Sequence, residues 1–154
     1  MKKILFVIGS LQSGGAERVA ARLCSFWSNT GYDVTLATGV PKGNDFYKVD
    51  NKVKRITLNF NYKVSGLIKK ITEQFTRFFK IQVALNSDDY DVIISSATDI
   101  SIRFMLNLLI SNKKVIICEH NNYYAVKSKF KKFARNILFK RADFLFLLTE
   151  RDKE

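Results

Sequence analysis

Two adjacent glycines, Gly14 and Gly15, and the chain's single histidine, His120, are the residues whose type and setting best suit chemistry. The glycines follow an apolar run, Ile4 to Ile8, and a short loop, Gly9 to Ser13; Ala16 then opens a helix-period segment reaching Asn29. Strand, glycine loop and helix N-terminus in this order make an anion site. Glycine lets the backbone come close, and unpaired helix amides aim positive dipole at a phosphate. The rival reading of the pair is a tight turn with no ligand. His120 follows the apolar run Val115 to Cys118 with Glu119 between, at the strand end where open α/β sheets bind ligands. A lone histidine also serves structural ends, so position carries this candidate. Glu119 beside it either orients the ring or faces a bound substrate.

Other chemistries fit less well. Gly9 to Gly14 lacks the dinucleotide spacing, the second strand ends at Thr38-Gly39 without a ribose-binding acid, and no Walker lysine follows the glycines. Asp89-Tyr90-Asp91 matches an aspartate-x-aspartate metal pattern, but it precedes its strand and so belongs to the sheet's amino edge. It reads as a turn, and no metal site is expected. Cys24 and Cys118 have no ligand partner at close spacing and read as reduced core thiols. Glu17 suits the first turn of its helix by charge, and Arg18 reads as solvent-facing.

These residues need a scaffold, and the hydrophobic pattern supplies one. Strands are expected at 3–8, 32–38, 53–58, 91–95, 114–118 and 144–148, with helices at 16–29, 64–85, 100–110 and 129–140. Thr149 reads as a further helix N-cap. Such alternation implies an α/β fold with a Rossmann-like, mostly parallel sheet and helices on both faces. A length of 154 residues with 47% hydrophobic content makes one domain with a sizeable core. Ile4 to Ile8 is too short for a signal-peptide core, and no apolar run is long enough to span a bilayer.

The net charge of +12 is the outlying bulk property and calls for an anionic partner. Between His120 and Ala142 there is no acidic residue, while Lys129, Lys131 and Lys132 lie among seven basic ones; Lys63 to Lys80 holds Lys69, Lys70, Arg77 and Lys80 with Glu73 as its only acid. Phe75, Phe78 and Phe79 in one helix, and Phe130, Phe133 and Phe139 in the other, exceed what a narrow core stripe needs. Peripheral contact with an anionic membrane surface is the favoured reading of both helices. A solvated face over a core stripe is the alternative, and no nucleic-acid motif is present.

Gly14-Gly15-Ala16-Glu17-Arg18-Val19 after a first strand resembles the N-terminal domain of family 4 glycosyltransferases, retaining enzymes of the GT-B architecture. Gly31-Tyr32-Asp33-Val34-Thr35-Leu36, Asp91-Val92-Ile93-Ile94-Ser95, Glu119-His120-Asn121 and Ala142-Asp143 through Thr149-Glu150 match further segments of that family in order. The resemblance implies that residues 1–154 form the acceptor-side half, followed in the family by a donor domain of similar size that is absent here. It implies transfer from a nucleotide-diphospho-sugar donor to a lipid-linked or saccharide acceptor, in bacterial cell-surface polysaccharide or glycolipid synthesis, with neither metal nor cofactor. His120 would hydrogen-bond the donor sugar, with Glu119 and Asn121 nearby, and the Gly14-Gly15 amides would meet the donor diphosphate. The protein would be cytoplasmic, at the inner face of the plasma membrane. A non-catalytic phosphate- or nucleotide-binding module, or one subunit of a split enzyme, remains the alternative.

Overall fold

The computed structural model describes residues 1–109, 113–120 and 128–147. Six strands, β1 (Lys3–Ile8), β2 (Asp33–Thr38), β3 (Lys54–Thr57), β4 (Val92–Ser96), β5 (Lys114–Glu119) and β6 (Phe144–Leu147), form one sheet. Its order is β3-β2-β1-β4-β5-β6, and every neighbouring pair is parallel. The chain runs outward from β1 to β3, then crosses back to β4 and continues the other way. This reversal opens a crevice between the carboxyl ends of β1 and β4.

Right-handed crossovers place helices on opposite faces in the two halves. Helix α1 (Gly15–Asn29) covers one face, where Ala20, Ala21 and Cys24 meet Ile4, Phe6, Val34 and Leu36. Helices α2 (Leu67–Leu85), α3 (Thr98–Leu108) and α4 (Lys129–Leu138) cover the other, with Ile81, Phe104 and Leu138 over Leu5, Val7, Ile93 and Ile117. Strand residues alternate between these two cores, as a period of two requires. Helix α1 stops at Gly31, whose φ of 95° suits a residue without Cβ, and the Tyr32 amide reaches back to the Trp27 carbonyl. Helix α2 begins at Leu67 rather than Val64. Helix α4 ends at Leu138, where a 3₁₀ turn, Phe139–Arg141, takes over. The expectation at Thr149 lies outside the described residues.

Candidate functional site

The glycine loop is braced from three sides. Leu11 is fully buried in the α1-side core, and its carbonyl accepts from the Phe46 and Tyr47 amides at 2.8 and 3.1 Å. The Gly9 carbonyl accepts from the Gly39 amide at 3.0 Å. Gly14 is the N-cap of α1 and accepts from the Arg18 amide at 3.1 Å, and no side chain caps the helix. Glu17 folds back so that its carboxylate lies against Gly14, the charge that a helix N-terminus favours. A Cβ at Gly15 would meet nothing within 4 Å, and φ at Gly14 is extended, so neither glycine is required by its backbone angles. Gly15 leaves open space in front of the first helix amides, whereas the Glu17 carboxylate fills the space beside Gly14.

Gly39 is the glycine most tightly enclosed by other backbone and rings, and sequence reasoning passed over it as a strand end. A Cβ there would stand 2.6 Å from the Tyr62 hydroxyl and 3.0 Å from the Gly9 carbonyl. The segment after β3 folds over it, with the Phe60 amide bonded to the Gly39 carbonyl at 2.8 Å. Phe60 and Tyr62 thus cover the end of β2, where a dinucleotide site would place its ribose.

The start of α3 and the middle of α4 meet the carboxyl end of β5. His120 follows Glu119 and is half-buried, two strands from the glycine loop, or roughly 10 Å along the sheet. Glu119 does not face an acceptor. It is only 2% exposed and shares the strand face of Val115 and Ile117, toward α3 and α4. There the Thr98 hydroxyl donates to Glu119 Oε2 at 2.8 Å, and the buried Arg135 guanidinium lies 4.0 Å from the same oxygen. The carboxylate therefore ties β5 to the first residue of α3 and to the middle of α4. Ala97, between β4 and α3, has φ 76° and ψ 138°, a conformation that is costly for a residue with a Cβ and held by this surrounding structure. Asn121 lies outside the described residues.

The structure divides the basic residues into two groups. Arg77 is only 7% exposed and does not reach a membrane surface. Its Nε donates to Glu73 at 3.0 Å and its Nη2 to the Asn61 carbonyl, while its guanidinium stacks 5.4 and 5.0 Å from the Phe60 and Tyr62 ring centres. Glu73 also accepts from the Asn61 amide, and Lys80 donates to the Asn59 carbonyl at 2.7 Å. Burial works against ionising Glu73, but the hydrogen bonds from Arg77 and Asn61 outweigh it and hold the carboxyl below its ordinary range. One face of α2 is thus a clamp on the 59–62 segment. Lys69, Lys70 and Lys129 are exposed, Lys132 is half-exposed, and Lys131 is exposed but paired with Asp99 at 2.7 Å. Phe139 belongs to the core, whereas Phe75, Phe130 and Phe133 are 64%, 76% and 65% exposed.

Asp89 and Asp91 sit at the amino edge, where Asp91 accepts from the Lys3 amide and Asp89 pairs with Lys113. Among the described residues no group of three metal-ligating side chains occurs. Burial pushes the Cys24 thiol up to about 12 and also raises that of Cys118, leaving both protonated near neutrality.

A doubly wound parallel sheet, with a braced glycine loop at its reversal point and a histidine on the same edge, defines a Rossmann-like half of the GT-B type. The glycosyltransferase family 4 model matches residues 13–153, and the chain belongs to that family. It is 32% identical over 153 residues to a Campylobacter jejuni protein, the GalNAc-alpha-(1->4)-GalNAc-alpha-(1->3)-diNAcBac-PP-undecaprenol alpha-1,4-N-acetyl-D-galactosaminyltransferase. It is also 32% identical over 159 residues to the amylovoran biosynthesis glycosyltransferase AmsD of Erwinia amylovora. Both alignments cover 99% of this chain, and the chain spans 42% and 41% of those relatives. Among solved structures, sucrose-phosphate synthase from Thermosynechococcus elongatus superposes with a TM-score of 0.69 at 14% identity, over 94% of this chain and 42% of that one. At that identity the likeness concerns the fold alone.

Proposed function

We propose that this chain is the N-terminal, acceptor-side domain of a retaining glycosyltransferase. The enzyme moves a sugar from a nucleotide-diphospho-sugar to a lipid-linked or saccharide acceptor in cell-surface polysaccharide or glycolipid synthesis. The observation that carries this is the 32% identity across 99% of the chain to a relative named for its diphospho-undecaprenol acceptor. The geometry supplies matching parts. The amides at Gly14 and Gly15, with the Glu17 carboxylate turned away from Gly14, would meet the donor diphosphate and neutralise charge developing on it as the sugar–phosphate bond breaks. His120 would hydrogen-bond the donor sugar across the crevice, held in place by the buried Glu119 anchor behind it. The reaction uses no metal and no resident cofactor.

Among the described residues no helix is long and apolar enough to cross a membrane. The exposed phenylalanines of α2 and α4, with Lys69, Lys70, Lys129 and Lys132 around them, fit peripheral contact with the anionic inner face of the plasma membrane.

Sugar transfer by the full-length protein to a diphospho-polyprenol glycan tests this reading. Gly15→Val, which meets no steric obstacle in the fold, should lower turnover far more than the melting temperature. His120→Ala should do the same, since its ring is half-exposed. Unchanged turnover in both variants would remove the site. Nucleotide-sugar binding without transfer to any such acceptor would favour a non-catalytic module.

A further inference from the structure

Between α2 and α3 runs a groove of about 380 Å³, walled by Phe75, Phe78, Phe79 and Leu106. Phe75, Phe79 and Leu106 are exposed, so the groove opens outward on the helix layer. Its polar end is unusual in its charge. Arg103 is half-buried there and donates to the neutral Gln74 carboxamide. Among the described residues no carboxylate pairs with it. The two acids nearby are already engaged, Asp99 with Lys131 at 2.7 Å and Glu73 with Arg77 at 3.0 Å. Arg77 also lines the groove, its guanidinium held by Glu73 and the Asn61 carbonyl, so a second positive charge lies beside the trough. Burial, and then the Arg77 charge, pull Arg103 below the ordinary arginine range. Asn107, one turn further on and only 2% exposed, lines the same end with its Oδ1 unpartnered.

A half-buried cation whose nearby carboxylates are bonded to other cations favours a ligand with concentrated negative charge, and phosphate matches guanidinium geometry well. The aromatic walls require that this phosphate carry a hydrocarbon body. The volume lies at the lower end of ligand pockets, which suits one chain rather than a protein helix.

We propose that this groove seats one phospholipid of an anionic bilayer, its phosphate on Arg103 and one acyl chain along Phe75, Phe78 and Leu106. The inference rests on the reading that the α2–α4 layer faces the membrane, and it adds a specific lipid site to that contact.

Calorimetric titration of the full-length protein with dihexanoyl phosphatidic acid, below its micelle concentration, tests it. Saturable binding is expected. Arg103→Gln should weaken it by about tenfold or more, the scale of one hydrogen bond to a charged group, and Arg103→Lys should recover part of the loss. Leu106→Asp, at an exposed position that leaves the fold intact, should abolish it. Inorganic phosphate and dihexanoyl phosphatidylcholine should bind far more weakly. Equal binding of inorganic phosphate, or binding indifferent to both substitutions, would overturn the proposal. Binding of farnesyl phosphate but not of phosphatidic acid would overturn the phospholipid assignment and give the groove to an isoprenoid acceptor. Sugar transfer to a detergent-solubilised acceptor separates the two proposals. Transfer without phosphatidic acid binding sinks the lipid site alone, and binding without transfer sinks the enzymatic reading alone.

Discussion

Helices α1 and α2 are both amphipathic, yet they face the sheet with opposite kinds of side chain. Helix α1 buries small apolar residues, Ala20, Ala21 and Cys24, directly on β1 and β2. Helix α2 buries Ile81, Ala84 and Leu85 only in its last turns. Nearer its start it turns Glu73 and Arg77 inward, and it leaves Leu67, Ile68, Ile71 and Phe75 exposed. An apolar stripe therefore identifies a helix but not its inner side. The deciding factor is what lies opposite. Under α1 lie β1, β2 and apolar side chains of the 47–53 segment, whose Asp50 amide needs only the Ser25 hydroxyl, whereas α2 meets the 59–62 backbone, whose polar groups take charged partners.

The sharpest way to break this comparison is to charge the apolar side of α1. Ala20→Asp places a carboxylate where nothing can solvate or pair it, so a loss of at least about 3 kcal/mol in reversible denaturant unfolding is expected. A loss below half of that would mean α1 is not a core element. The converse change on α2 is Arg77→Met, which keeps length and removes charge. It strands Glu73 and the Asn61 carbonyl, and about 2 kcal/mol should be lost, with faster proteolysis at 59–62. A gain in stability would make the clamp dispensable to the fold. The smallest effect belongs to Phe75→Ser. Its stability change should stay within about 0.5 kcal/mol, because the ring is largely exposed and the two residues have similar helix propensity. Sedimentation with anionic vesicles should nevertheless fall. Destabilisation by several times that amount would place the ring in a core.

Most strands were legible because each is a continuous apolar run, and no observed end lies more than one residue from the expected one, as for β3 and β4. The glycine loop and His120 were found for the same reason, each standing next to such a run. Glu119 was misjudged although its signal was present. Alternation along β5 puts it with Val115 and Ile117, which are buried, so adjacency to His120 in sequence meant separation in space. Arg77 was a different kind of miss. Its partners come from a loop 16 residues earlier and from two rings whose approach no local pattern announces. Gly39 was missed because its constraint is another chain segment lying over it, not an unusual backbone angle.

Strand β6 has a practical consequence. It is the last strand of the sheet among the described residues, and Phe144, Leu145 and Phe146 are all exposed on it. Four successive apolar residues, without charge or proline, along a row of amides and carbonyls that no described strand flanks form a template for pairing with another chain. Purified as this segment alone, the protein should cloud with rising concentration rather than with rising temperature. A lysine in place of Phe146 would be the first change to make for a sample that stays clear.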